Sequence, residues 1–468
     1  MPLASLRPLR SRNFALIWSA ALVSNVGSWM QTVALGVLVF ARTDQPAWTG
    51  LVAAAAFIPI GLLAPLGGAL ADRLDRRRWL IVTTLAEMGF ATILAVLAAT
   101  GNDPPAALVV LAFCGGASGA IGFPAFQAMV PDLVPPEDLL GAVSLSSAQF
   151  NLGRVIGPAL AGLALLTHNY GLVFGINAAS FAAVVVALAM VRLPRPVRSP
   201  EQLGMVARLA AGARVAATEP GCRAAIELIA VVALLASPFI ALVPAMSGVL
   251  DRGGVSTSVG TAILVTAQGV GAVAGALVLP TLAERVGRRT MLQSALFLLP
   301  FLLTLYGLAP SLWVSALAFL AVGAGYIAVL TGLNTVVQLR APAAVRGRVL
   351  SIYMMGLGIV YPIGAVLQGG IANHTGVRTV TVAGAVLMLA AMAAIAVFHP
   401  ATFAALGDLP GPPRPGAPGP DPDRVIPDAV AADAAAPDAV ITGGVAPDPS
   451  VPALVRPRGS LLPTEELP

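Results

Sequence analysis

The sequence predicts an all-α integral membrane protein whose twelve transmembrane helices form two six-helix bundles. Three observations support this prediction: the composition, the number of apolar segments and an internal repeat. Of the 468 residues, 57% are hydrophobic and only 10% are charged, whereas a soluble domain usually contains about 25% charged residues. Because so few polar residues are available to cover a soluble surface, we expect the chain to lie in a membrane.

A transmembrane helix needs about 20 apolar residues, and a window of that length finds twelve segments, here called spans 1 to 12. They cover residues 14–40, 48–71, 79–100, 106–130, 142–167, 171–193, 222–250, 256–281, 290–309, 311–337, 349–372 and 378–398. Residues 1–12 are basic and lead directly into a segment of full span length, so no cleavable signal peptide is expected.

The 27 basic residues are all arginines, and their positions predict the orientation. Nineteen lie in the N-terminus and in the loops after even-numbered spans up to span 10, and only Arg42, Arg252 and Arg378 lie in the opposite loops. Basic loops stay in the cytoplasm, so we expect a multi-pass protein of the cell (inner) membrane with both termini cytoplasmic. The lack of lysine excludes a P-loop ATPase and Schiff-base chemistry.

The two halves of the chain repeat each other. Residues 71–77, Ala-Asp-Arg-Leu-Asp-Arg-Arg, follow span 2, and residues 283–289, Ala-Glu-Arg-Val-Gly-Arg-Arg, follow span 8. A second match relates residues 135–162 to residues 342–369 at a constant offset of 207. Parallel repeats of six spans are a known architecture of membrane transporters.

The repeat divides the chain into four expected regions. They are an N-terminal bundle (1–193), a cytoplasmic linker with an amphipathic helix (194–221), a C-terminal bundle (222–399) and a disordered, Pro/Ala/Asp-rich cytoplasmic tail (400–468). In the linker, Ser199 and Gln202 have the spacing of a helix N-terminal capping box. The tail holds 16 of the 39 prolines and nine of the 22 acidic residues, a composition that cannot offset the entropy cost of ordering.

Three segments resemble a known family. Residues 67–78, Gly-Gly-Ala-Leu-Ala-Asp-Arg-Leu-Asp-Arg-Arg-Arg, resemble the motif after span 2 of the major facilitator superfamily. Residues 24–31, Ser-Asn-Val-Gly-Ser-Trp-Met-Gln, and residues 124–135, Pro-Ala-Phe-Gln-Ala-Met-Val-Pro-Asp-Leu-Val-Pro, are similar to a bacterial exporter branch. That branch includes the enterobactin exporter, macrolide efflux proteins and transmembrane secretion effectors. The resemblance covers about residues 10–399 and implies the major facilitator fold.

In this family, the motif after span 2 acts as a latch that closes the cytoplasmic side, with its aspartate approaching span 11. The resemblance therefore implies latch residues in both repeats: Gly67, Gly68, Asp72, Arg73, Arg76, Arg77, Glu284, Arg285, Arg288 and Arg289. A glycine pair lets helices approach closely, and a carboxylate is stabilised at a helix N-terminus. The alternative is that the arginines only fix the topology.

A segment of span 5 resembles the motif of proton-coupled antiporters, although it ends in one glycine instead of two: Gly153, Gly157, Pro158 and Gly162. Close helix packing alone would also explain these glycines. The resemblance favours an exporter and leaves antiport open.

Arg154 lies twelve residues into span 5, roughly 18 Å deep at 1.5 Å per residue. Charges at this depth are costly and usually functional. Because arginine stays protonated, we expect Arg154 to bind substrate or to balance charge, with a structural pairing as the alternative. Polar residues of spans 1 and 5 complete the expected substrate cavity: Asn25, Ser28, Gln31, Ser147 and Asn151.

Two acidic residues inside spans are the candidates for proton coupling. Glu87 lies eight residues into span 3, whereas Glu227 is near the start of span 7, where an ion pair with Arg223 would explain it equally well. We favour Glu87 because it lies deeper.

The sequence thus predicts a secondary active transporter. We expect export of a lipophilic or amphipathic small molecule, such as a drug, secondary metabolite or siderophore, by alternating access and proton antiport. An importer of the same fold and a non-transporting receptor or scaffold remain alternatives. No enzyme activity, cofactor, metal or nucleic acid is expected; the expected partners are the substrate, protons and the lipid bilayer, and the chain is expected to be monomeric.

Overall fold

A computed structural model describes residues 4–167, 169–191, 205–250, 256–342 and 345–407. Fifteen α-helices occupy most of these residues. They are α1 (Arg12–Thr43), α2 (Pro46–Arg73), α3 (Arg76–Thr100), α4 (Pro105–Met129), α5 (Leu139–Leu165), α6 (Tyr170–Met190), α7 (Met205–Thr218), α8 (Pro220–Leu235), α9 (Phe239–Leu250), α10 (Thr257–Val286), α11 (Arg288–Leu308), α12 (Leu312–Arg340), α13 (Arg346–Thr375), α14 (Val377–Phe398) and α15 (Pro400–Ala404). Three short 3₁₀ helices, Ala4–Arg10, Val130–Leu133 and Pro136–Asp138, complete the described secondary structure.

Side-chain caps define several helix starts at positions where the chain turns. The Asp75 carboxylate accepts a hydrogen bond from the backbone N–H of Arg78 at the start of α3. Ser311 caps α12 in the same way, and Glu219 caps α8. Short polar residues satisfy the free N–H groups of a first helical turn, so these caps set the sharp boundaries between consecutive membrane helices.

Eleven segments of the described chain are long and apolar enough to cross a membrane, and α8 with α9 counts as one of them. Helix α5 is not among the eleven, although its 27 residues give it sufficient length. Polar side chains such as Gln149 and Arg154 interrupt its apolar character. With α5, the helices correspond to the twelve predicted spans in the two predicted bundles.

The helix contacts repeat between the two halves. In the N-terminal half, α2 packs on α4, α3 packs on α4 and α6, and α1 packs on α5. The equivalent helices of the C-terminal half make the equivalent pairs: α10 on α12, α11 on α12 and α14, and α8 on α13. The two halves meet mainly through α2 with α13 and α5 with α10, which are equivalent pairs under the same repeat.

Helices α2 and α13 are in contact at one end of the bundle and near its middle. We call the end that carries Arg73 and Arg76 the Arg-rich end, and the other the Arg-poor end. At the Arg-poor end, the backbone N–H of Ala47 donates to Asn373 Oδ1 at 3.0 Å. Near the middle, a methyl group on Gly358 would lie 3.0 Å from the backbone nitrogen of Gly61. These contacts hold the halves together over the Arg-poor part of α2 and α13.

The structure corrects the predicted start of the disordered tail. Residues 400–407 are ordered, because Phe403 and Leu406 are 6% and 3% exposed and the Phe403 ring stacks on Phe297 with centres 5.7 Å apart. Disorder from Pro400 is therefore wrong for these eight residues, and the rest of the predicted tail lies outside the described residues.

The linker contains helix α7, which packs on α8 and α13. A methyl group on Gly212 of this helix would lie 2.8 Å from Arg348 Cβ, so the contact with α13 is close. The predicted capping residues Ser199 and Gln202 lie outside the described residues.

Candidate functional site

The candidate site is built around Arg154, in the middle of α5. Its guanidinium carbon lies 5.7 Å from the centre of the Trp29 ring, within the range of a cation–π contact. Phe150, one turn earlier in α5, meets Trp29 edge to face with ring centres 6.1 Å apart. Helix α10 of the other half packs on α5, so both halves of the molecule border this site.

Close packing of α5 on α1 positions these side chains. A methyl group on Gly153 would lie 2.9 Å from Asn25 Cβ, and one on Gly157 would lie 2.5 Å from Trp29 Cβ. Only glycine permits this approach, because a side chain would collide with α1. The two glycines thereby bring Trp29 beside Arg154.

The opposite side of α5 packs on α10 of the other half. Gly162 faces Ala262 so closely that a methyl group would collide with its side chain, and a methyl group on Gly269 would lie 3.4 Å from the Arg154 carbonyl oxygen. Pro158 is buried between these levels. The span 5 motif residues thus have a packing role, and their role in antiport stays a prediction.

Span 7 is broken, contrary to its prediction as one continuous helix. The break between α8 and α9 contains Ser237, whose hydroxyl hydrogen-bonds with the Tyr326 hydroxyl at 2.9 Å. The Phe239 ring meets the Tyr326 ring edge to face at 5.3 Å. Ser237, Phe239 and Tyr326 were not predicted, because single polar or aromatic residues in apolar segments form no distinctive pattern. Pro238 is the one local signal for the break, since proline lacks the N–H that a helix interior requires.

Gln368 of α13 satisfies the backbone at this break. Its side-chain nitrogen donates to the carbonyl oxygens of Leu234 and Leu235, at 2.9 and 3.0 Å. Leu234 would normally accept a hydrogen bond from the residue four positions later, which is Pro238. A buried carbonyl without a partner is costly in a membrane, and Gln368 removes that cost. Discontinuous helices of this kind often line transporter binding sites.

The cavity candidates of α1 point in different directions. Asn25 is half-buried and faces α5, and Ser28 is half-buried. Gln31 instead faces α6, where its side-chain oxygen accepts a hydrogen bond from Asn177 Nδ2 at 2.9 Å. Asn177 is fully buried, so Gln31 helps to hold α1 against α6. Asn25 is the candidate that lies beside the α5 motif.

On α5, Ser147 is exposed and its hydroxyl donates to the Val143 carbonyl at 3.1 Å. The side chain of Asn151 lies outside the part of the chain that the structure describes. Their predicted contribution to the cavity therefore stays a prediction.

The two glycines of the latch motif have different surroundings in the structure. A methyl group on Gly67 would lie 2.6 Å from the Ile121 carbonyl oxygen of α4, whereas one on Gly68 would meet nothing within 4 Å. The expected close approach is therefore present at Gly67, and it is wrong for Gly68. The side chain of Asp72 is outside the described side chains, so its predicted approach to span 11 stays a prediction.

In the first latch copy, the side chains of Arg76 and Arg77 bind to partners within the N-terminal half. Arg76 donates to the Ala128 carbonyl at 3.0 Å and pairs with Asp132 at 2.9 Å. Arg77 donates to two carbonyls in the last turn of α6, at 2.6 Å each. Both cations lie at helix C-termini, where they offset the partial negative charge. Arg73 is exposed.

The second latch copy consists of exposed side chains at the Arg-rich end: Glu284, Arg285, Arg288 and Arg289.

Comparison with known proteins identifies the family. The model of a family described as transmembrane secretion effector matches residues 3–410. The chain belongs to this family. It is therefore a transporter of the major facilitator superfamily.

Related proteins agree with this assignment. The chain is 27% identical over 399 residues to the multidrug efflux pump Tap of Mycolicibacterium fortuitum, covering 82% of this chain and 95% of that protein. It is 23% identical over 372 residues to macrolide efflux protein A of Streptococcus pyogenes, covering 78% and 90%. A crystal structure of a bacterial homologue of the human lysosomal transporter Spinster, inward-facing and occupied, aligns with a TM-score of 0.68 at 16% identity, covering 86% and 99%.

In this transporter the two proton-coupling candidates have different surroundings. Glu87 is half-buried, and a methyl group on Gly119 of α4 would lie 2.9 Å from its Oε1. Glu227 lies 3.8 Å from Arg223, and both side chains are more than half exposed, at 53% and 59%. The alternative interpretation of Glu227, as the partner of Arg223 in a surface ion pair, fits these contacts. Glu87 faces a neighbouring helix at mid-span, so it remains the stronger candidate.

Proposed function

We propose that this transporter exports a lipophilic or amphipathic small molecule from the cytoplasm by alternating access. Its relatives are named for multidrug and macrolide efflux. The observation that carries the proposal is the position of the cluster formed by Arg154, Trp29 and Phe150, here called the Arg154 cluster. It lies at mid-span, where Arg154 contacts Trp29 of the same half and α5 packs on α10 of the other half, so motion between the halves would change its surroundings.

The orientation follows from the arginine distribution. The Arg-rich end would be cytoplasmic because positively charged loops are retained there. Contacts such as Ala47 with Asn373 join the halves at the opposite end. With this orientation, the structure would correspond to a state closed toward the outside, and substrate would enter it from the cytoplasm.

The latch would close the Arg-rich end in the alternate state. Asp72 and Arg73 lie at the end of α2, whereas the contacts of Ala47 and Gly61 with α13 lie at its start and middle. Rocking of the halves would bring the end of α2 toward α13. The second copy, from Glu284 to Arg289, would make the equivalent closure. Arg76 and Arg77 would support the latch by fixing the ends of α4 and α6.

Proton antiport is the proposed energy source. Glu87 would carry the proton. A carboxylate at mid-span is costly, and residues of this kind are usually functional. The Glu87 side chain faces Gly119 of α4. Coupling would therefore pass through the packing of α3 and α4.

The test is dye uptake into inverted membrane vesicles with an imposed, inside-acid pH gradient. Three probes cover the charge classes: cationic ethidium, neutral N-phenyl-1-naphthylamine and anionic 8-anilinonaphthalene-1-sulfonate. We expect accumulation of at least one probe above that of vesicles without the protein, with loss in Arg154→Ala at equal protein level. Absence of gradient-dependent accumulation for all three would contradict the proposal.

A further inference from the structure

Arg154 lies in the middle of a transmembrane helix. The other arginines that the structure describes lie at a helix end, in a loop or in the linker helix α7. A guanidinium at this depth requires a counter-charge, because taking an ion out of water is costly. The origin of that counter-charge therefore bears on the substrate.

The helices around Arg154 carry no carboxylate at mid-span. Helices α1 and α5 contain no Asp or Glu, and Glu284 of α10 lies near the end of that helix. In the membrane helices that the structure describes, only Glu87 and Glu227 lie away from the helix ends. Glu87 contacts α4, and Glu227 is paired with Arg223.

Four acidic residues near helix ends are paired with arginines. The ion pairs, of 2.8 to 3.8 Å, join Asp103 with Arg42, Asp132 with Arg76, Asp138 with Arg7, and Glu219 with Arg340. These acidic residues lie near helix ends, whereas Arg154 lies in the middle of α5. Among the described contacts, the Arg154 guanidinium meets the Trp29 ring, which is weaker compensation than an ion pair.

We propose that Arg154 binds the oxyanion of an amphipathic substrate, a carboxylate or a sulfonate, while the apolar body of that substrate packs on Trp29 and Phe150. Arginine presents two parallel N–H groups to such an oxyanion. Phe150 is 46% exposed, and Trp29 is half-buried, so both rings are accessible to a ligand. This inference rests on the proposed function and names the substrate class of that site.

Two dyes with one skeleton provide a matched test. 8-Anilinonaphthalene-1-sulfonate carries a sulfonate, and N-phenyl-1-naphthylamine has the same aromatic body without it. Their binding to purified protein in nanodiscs is titrated by fluorescence. We expect Arg154→Gln to weaken binding of the sulfonate by about tenfold or more, as for a lost charge-assisted pair, with less than about a twofold change for the neutral dye. Arg154→Lys keeps the charge and should retain part of the affinity.

Two controls exclude simpler explanations. Arg78→Gln removes an exposed arginine and should leave both affinities unchanged, which separates a local site from general attraction to a basic protein. Trp29→Phe should reduce energy transfer from tryptophan to the bound sulfonate while Arg154 is intact. Thermal melting of Arg154→Gln verifies that the variant is folded.

Unchanged sulfonate binding in folded Arg154→Gln would overturn the inference, as would equal losses for both dyes. Failure of the proposed function gives a different pattern. Arg154-dependent binding without uptake of any probe into vesicles would refute transport and leave the anion site standing. Uptake of ethidium or the neutral dye together with Arg154-independent sulfonate binding would refute only the anion site.

Discussion

The side-chain amide of Gln368 donates a hydrogen bond to the main-chain oxygen of Leu234, 2.9 Å away. Pro238 cannot provide the N–H that this oxygen would receive in a continuous helix. One side chain of α13 thus stabilises the break between α8 and α9, next to the Ser237–Tyr326 hydrogen bond. The break is therefore stabilised by specific contacts of the fold, and Gln368 links α13 to this part of the candidate site.

Replacing Gln368 by Leu should destabilise the protein. Two carbonyl oxygens lose their donor, and each unsatisfied buried group costs about 1–3 kcal/mol. Thermal unfolding of the purified protein in detergent measures the loss. Gln338→Leu is the control, because Gln338 is exposed and bonds only to Asn334 one turn away. Equal melting temperatures for the two variants would show that the break does not depend on Gln368.

Arg77→Ala should lower stability more than Arg78→Ala. Arg77 makes two hydrogen bonds of 2.6 Å to the last turn of α6, whereas the Arg78 side chain is exposed. Loss of hydrogen bonds from a charged donor is expected to cost about 1.5–3 kcal/mol. The same melting assay compares the two. If both variants melt together, the arginine cluster acts on topology alone.

A cross-link at the Arg-poor end should stop transport. Ala47 and Asn373 are in contact across the two halves, so cysteines at both positions should form a disulfide on oxidation. The background is Cys114→Ala with Cys222→Ala, since these are the free cysteines. We expect uptake in vesicles to fall on oxidation and to recover with reductant. Each single-cysteine variant is the control, and a cross-linked protein that still transports would contradict alternating access.

The fold was largely predictable because the length of the hydrophobic segments and the positions of the arginines between them can be read from short stretches of sequence. The broken span 7 was not, because Gln368 supplies its missing hydrogen bonds from 134 residues away. Gln31 shows the same limit: helical spacing grouped it with the cavity, but its partner Asn177 belongs to another helix. Depth alone made Arg154 a candidate, whereas the packing of α10 against its helix depends on how the two halves meet.

Glu87→Gln should abolish the dependence of uptake on the pH gradient. The amide keeps the shape of the side chain but cannot exchange a proton, so substrate could still equilibrate without being concentrated. Uptake is measured with and without the gradient at equal protein level. Glu227→Gln, which removes only an exposed ion pair, should accumulate substrate as the unaltered protein does, because such pairs contribute little. Gradient-driven accumulation by Glu87→Gln would exclude Glu87 as the proton carrier.

Truncation should show what residues 400–407 contribute to stability. Phe403 and Leu406 are buried, and Arg340 donates to the carbonyls of Ala405 and Gly407 at 3.1 and 2.8 Å. A chain ending at Phe398 loses these contacts, and burial of two large apolar side chains is worth roughly 3–6 kcal/mol. A chain ending at Gly407 keeps them. We therefore expect a lower melting temperature for the first and an unchanged one for the second. Equal melting of both would mean that residues 400–407 contribute nothing to the stability of the C-terminal half.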